Sequence, residues 1–175
     1  MGRLLLPDAG PLFSLAAGEL LEVLLNFELV ISDVVKQETI DRGAGKCASF
    51  EAISLADFYS RHQQFIHIEP TQIGHLAGNV TKRHAGELSI QSLLINATPG
   101  TTATILFEDK WFIRNRHSFP LSCVLMTTAA FLDLLEEAGL ILSAKQAERN
   151  IRLRRPYFPA EHQMFDGGPS TPAPG

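Results

Sequence analysis

Short apolar runs alternate with helix-period patterns five times along this chain, and that alternation constrains the fold more than any other feature. Residues 3–7, LVI at 29–31, FIHI at 65–68, TATILF at 102–107 and SCVLM at 122–126 read as strands. Between them lie helical stretches. The first runs from Pro11 to Phe27, with Phe13, Ala17, Leu20, Leu24 and Phe27 on one face. Ser32 or Asp33 caps the next, which carries Glu38 and is broken by RGAGK at 42–46. Others span about 48–62, part of 71–85, 86–97, the region from Asp109 to Arg116, 127–139 and about 144–154. Strand and helix in this order predict an α/β domain, a doubly wound parallel sheet of five strands with helices on both faces. The domain is expected over residues 1–155. Residues 156–175, ending in GGPSTPAPG, read as a Pro/Gly-rich tail that builds no core.

Composition narrows the class. The 175 residues are 45% hydrophobic and 19% charged, with a formal net charge of −4, which suits one globular core. The most apolar stretch, residues 12–27, is interrupted by Glu19 and Glu22 and is too short for a membrane span. No signal peptide is read at the N-terminus. Cys47 and Cys123 are too isolated for a disulfide framework or a zinc site, and a reducing cytoplasm fits them.

The chemistry is carried by acids at element ends. In LLLPDAGPL (residues 4–12), Asp8 follows the first apolar run directly, and ATILFEDK (residues 103–110) repeats the device with Glu108 and Asp109. In a parallel sheet the C-terminal strand ends and following helix starts share one edge, where ligand sites are built. Asp8, Glu38, Glu87 and Asp109 can therefore converge. Clustered carboxylates repel and take up protons unless a cation balances them. Mg²⁺ or Mn²⁺ favours such an all-oxygen environment, and hydrolysis of a phosphodiester by a metal-activated water is the reaction it suits best. Glycine-rich phosphate loops, GxSxG and HExxH are all missing.

Five segments in order carry a resemblance to a family: DAGPLFSLA with Asp8, VISDVVKQE with Glu38, AGELSIQSLL with Glu87, ILFEDK with Glu108 and Asp109, and VLMTTAAFLDLLEEAGLI from Thr127. Over residues 3–142 the chain resembles the PIN-domain nucleases, including the VapC-like ribonuclease toxins of toxin–antitoxin pairs. The resemblance implies strand order 3-2-1-4-5, with Asp8 and Asp109 as neighbouring metal ligands and Glu38 and Glu87 holding metal waters or a second ion. It implies an RNA substrate and a cognate antitoxin protein. Gly10 and the Ser89/Gln91 positions depart from the family, which often has a small polar residue at the first and a further acid at the second. Of the FED acids, Asp109 is taken as the inward one.

Each residue also has a plainer role. Asp8 can cap a helix, Glu38 can be a solvated helix residue, and Glu87 can simply favour a helix N-terminus. Thr127 and Thr128 can cap the last strand's helix, orient a carboxylate or a metal water, or do both. Lys110, Arg114 and Arg116 can bind the RNA backbone or form a solvated basic face. Lys82, Arg83 and His84 have the same two readings. Trp111 packs near the core or offers a stacking face, and His67 reads as a satisfied sheet histidine. The apolar character of the first helix and of 127–139 favours a homodimer and a groove for the antitoxin. The competing reading is a PIN-like module that binds protein or RNA without cutting. A doubly wound phosphatase or phosphotransfer domain, phosphorylated at Asp8, is disfavoured because residue 10 is Gly.

Overall fold

A computed structural model describes residues 4–41, 48–72, 84–98, 100–120 and 122–167. The RGAGK break, most of the 71–85 stretch with Lys82 and Arg83, and the final GGPSTPAPG beyond Gly167 lie outside the described residues. Five strands, β1 (Leu4–Pro7), β2 (Glu28–Ser32), β3 (His67–Glu69), β4 (Ala103–Phe107) and β5 (Cys123–Thr127), are mutually parallel in the order β3-β2-β1-β4-β5. β4 and β5 are buried at every residue, as are adjacent Leu5 and Leu6 of β1. Consecutive side chains point to opposite faces, so both faces of the sheet are covered.

A sixth strand corrects the five-stranded expectation. β6 (Met164–Asp166) runs antiparallel to β5, pairing Leu125 with Phe165 and Met126 with Met164. The chain reaches it through Phe158, which is 5% exposed and part of the core. Residues 156–167 thus belong to the packed structure, where the sequence reading places only tail. Three residues are too few to show a strand period, and the pairing is entirely long-range.

The helices are α1 (Ala9–Ala17), α2 (Asp33–Asp41), α3 (Phe50–Arg61), α4 (Ala85–Ile95), the single turn α5 (Trp111–Arg114), α6 (Thr128–Glu137) and α7 (Ala144–Arg154). Among the described residues, the 3₁₀ segments Leu21–Asn26 and Arg116–Ser118 join them. The helix expected through Phe27 stops at Ala17 although the apolar period continues. Leu20 N–H bonds to the Leu15 carbonyl and Glu19 N–H to that of Ala16, a Schellman closure with Glu19 left-handed at φ 59°. Tertiary packing fixes the stop. A β-carbon on Gly18 would lie 2.8 Å from Ile151 Cγ1 of α7, and Arg154 donates to the Ala17 carbonyl at 2.6 Å and to Glu19 at 2.8 Å.

α1 packs against α2, α3 and α7, and every residue of it except Gly10 is buried. The apolar surface that the sequence reading offers to a second copy is, on this helix, covered within the chain. Each fully buried leucine or phenylalanine contributes about 1.5 to 3 kcal/mol relative to exposure. Among the described residues no helix is long and apolar enough to cross a membrane.

Candidate functional site

β1 and β4 lie side by side with Pro7 opposite Leu106, so the residues that follow them emerge together at the C-terminal edge of the sheet. Asp8 donates its backbone N–H to the Leu106 carbonyl at 2.9 Å, which continues the ladder one residue past β1. Although Asp8 occupies the N-cap position of α1, its side chain makes no cap hydrogen bond. Its carboxylate instead lines a cleft of about 430 Å³, with Glu38, Glu87, Glu108 and Asp109 in the same lining.

Two helices bring the remaining acids. Ser32 Oγ accepts the Val35 N–H at 3.1 Å and so caps α2, as the sequence suggests for Ser32 or Asp33. Asp33 Oδ1 turns outward to accept from Thr71 N–H and Oγ1, at 3.1 and 2.8 Å. Ser32 also meets Ser89 Oγ of α4 at 2.6 Å, and Ser89 donates to the Gly86 carbonyl at 2.6 Å. This buried chain of hydroxyls joins the helix of Glu38 to that of Glu87. Gly86 fits between the acids because it has no β-carbon: one built there would stand 3.0 Å from Glu38 Oε2 and 3.2 Å from Asp8 Oδ1.

Burial and like charge act together on Asp8, which is 7% exposed. Its pKa is pushed up to about 8, first by desolvation and then by the charge on Glu87, with Glu38 and Glu108 adding and the Ala9 amide opposing. Among the described residues lining the cleft, Arg155 is the one permanently charged cation. It donates to the Gly10 carbonyl at 2.7 Å and to Glu108 Oε2 at 3.3 Å.

Glu108, rather than Asp109, is the inward acid of the FED sequence. β4 ends at Phe107, so Glu108 is the first residue beyond it. Its side chain is 8% exposed, accepts the Thr128 hydroxyl at 2.9 Å and faces Arg155. Asp109 is exposed, and its Oδ1 accepts the Trp111 N–H at 2.8 Å. It still reaches the cleft: His84, Glu87 and Asp109 each place one ligand atom within 4.8 Å of the others. His84 Nδ1 lies 3.1 Å from Glu87 Oε1, a spacing close to that of adjacent ligands on one small divalent ion.

The other candidates separate. Thr128 orients a carboxylate, whereas Thr127 caps α6 through Ala130 N–H and binds the backbone at Glu161 and Gln163, away from the acids. Lys110 faces Glu161 at 3.7 Å, and neither Arg114 nor Arg116 lines the cleft. Trp111 stacks on His84 at 6.0 Å and meets Phe112 and Phe119 edge-on. His67 pairs with Glu69 at 2.6 Å on the sheet's edge, exposed rather than enclosed. Arg155 and Tyr157, absent from the sequence candidates, line the cleft because α7 returns across α1. In the sequence, the basic run RLRR at residues 152–155 is the signal that points to Arg155. Comparison with protein-family models, curated proteins and solved structures gives no significant match.

Proposed function

We propose that this protein is a metal-dependent endoribonuclease of PIN-like type, hydrolysing RNA phosphodiesters at the acid-lined cleft. The observation that carries the reading is Asp8: a buried carboxylate with Glu38, Glu87 and Glu108 raising its pKa, opposite a glycine that leaves the space between acids open. A fold does not retain such an arrangement cheaply, and a divalent cation is the ligand that relieves it. The donor set fits Mg²⁺ or Mn²⁺. Asp8, Glu38, Glu87 and Asp109 would hold the ion directly or through water, with His84 beside Glu87 and Asp109.

When bound, the cation supplies Lewis acidity toward water and phosphate oxygens. Glu108, held by Thr128 and Arg155, keeps the β4 end fixed against Asp8. The cleft-lining residues described include no serine, threonine or cysteine, and the reading assigns the nucleophile's role to water. Its oxygen bonds to phosphorus as the P–O bond to the leaving sugar breaks, and that sugar oxygen ends protonated. The strand order β3-β2-β1-β4-β5 agrees with the fold that the family resemblance implies, and the resemblance itself supports RNA as substrate and extends the reading to the toxin of a toxin–antitoxin pair. The test is cleavage of structured and single-stranded RNAs with Mn²⁺ or Mg²⁺, with an EDTA control and the Asp8→Asn variant. Metal-dependent cutting lost in Asp8→Asn is expected. If well-folded protein neither cuts any RNA nor binds Mn²⁺ in calorimetry, the enzyme reading gives way to a non-catalytic binding module.

A further inference from the structure

α7 ends at Arg154, and Arg155–Pro156–Tyr157–Phe158 follows as a turn closed by Phe158 N–H to the Arg155 carbonyl at 3.0 Å. Proline at the second position pre-sets the backbone for this bend. Both flanks are fixed. Arg155 is held by the Gly10 carbonyl and Glu108, and Phe158 is sunk in the core at 5% exposure. Between these anchors Tyr157 is 98% exposed, yet it lines the acid cleft. A large aromatic ring displayed in full on a stiff turn gains nothing for the fold. Beside it, Arg155 donates to Gly10 and Glu108 through two of its five N–H groups, and its side chain lines the cleft and is 29% exposed.

We propose that this turn is a nucleotide subsite: Arg155 takes a backbone phosphate and Tyr157 stacks one unpaired base, which makes the substrate single-stranded. An arginine fork matches phosphate oxygens, and an aromatic face accepts any base that is not already stacked in a duplex. The inference rests on the nuclease reading of the cleft and adds the strand state of its substrate.

The experiment is fluorescence anisotropy of a labelled single-stranded oligoribonucleotide, and of the same strand in a duplex, with the full chain in Ca²⁺. Tyr157→Ala, Tyr157→Phe and Arg155→Lys are compared with the wild type, and Mn²⁺-dependent cleavage is measured alongside. Tyr157→Ala should weaken single-strand binding about tenfold while Tyr157→Phe binds as the wild type, with duplex binding the same in all three. Arg155→Lys should retain the fold and weaken binding of the single strand. Equal single-strand affinity in the wild type and Tyr157→Ala, or an equal loss on the duplex, overturns the subsite while intact cleavage leaves the nuclease standing. Absence of both binding and cleavage in the wild type overturns both.

Discussion

Ser32 and Ser89 join their hydroxyls at 2.6 Å in the interior, and this contact couples the two helices that present Glu38 and Glu87. Ser89→Ala removes the donor to the Gly86 carbonyl and the partner of Ser32. Urea unfolding should show a loss of about 1 to 2 kcal/mol, and Mn²⁺ titration a weaker affinity at a pH where the variant is fully folded. Unchanged metal affinity would mean that the hydroxyl chain holds the helices without setting the acids.

Gly86→Ala separates the site from the fold. Gly86 is the second residue of α4, where alanine gains part of the roughly 1 kcal/mol it holds over glycine in a helix interior, so thermal stability should hold or rise if the acids shift to accommodate it. The new methyl, however, would meet Glu38 Oε2 at 3.0 Å and Asp8 Oδ1 at 3.2 Å. Calorimetry should find cation binding abolished or strongly reduced in a protein at least as stable as the wild type.

Asp8 makes stability depend on pH when the cation is removed. An acid whose pKa rises on folding, here from 3.8 to about 8, holds its proton more tightly in the folded chain. Its contribution is full below pH 3.8 and is lost as pH rises through about 8, on the order of a few kcal/mol in all. In EDTA, denaturant midpoints should therefore fall across that window more steeply for the wild type than for Asp8→Asn. Mn²⁺ should reduce the difference. Parallel profiles for the two proteins in EDTA would contradict the assignment.

Glu108 and Asp109 should behave differently when neutralised. Glu108→Gln weakens the ion pair with Arg155 and the bond from Thr128, so it should lower the melting temperature and the activity together. Asp109→Asn keeps an oxygen for the Trp111 N–H and lies on the exposed side of the cleft. It should leave stability within about 0.5 kcal/mol while reducing affinity for Mn²⁺. Equal effects of the two on stability would refute the distinction.

Much of this site was legible because its signals are local. An apolar run that stops at Asp8 and another that stops at FED place acids at strand ends, and the parallel topology then brings those ends together. The choice between Glu108 and Asp109 was harder, since it turns on whether β4 ends at Phe107 or one residue later. Other features lie wholly in long-range contacts. The period that continues through Leu20–Phe27 says helix, and it is α7, approaching Gly18 with Ile151, that ends α1 early. Arg155 reaches Gly10 across 145 residues of chain, and β6 exists only because β5 offers an edge. His84 announced itself only as one member of a basic run, although its place three residues before Glu87 is what sets the two side by side.

Each edge strand of the sheet, β3 at one side and β6 at the other, is three residues long. An edge that short gives an incoming chain few unpaired amides and carbonyls to bond, and Glu69 and Asp166 place a negative charge at the end of each. Strand addition between copies, the route by which open sheets polymerise, is thereby discouraged at both sides. Short, charged edges of this kind leave the sheet to serve as the rigid bed beneath the acids.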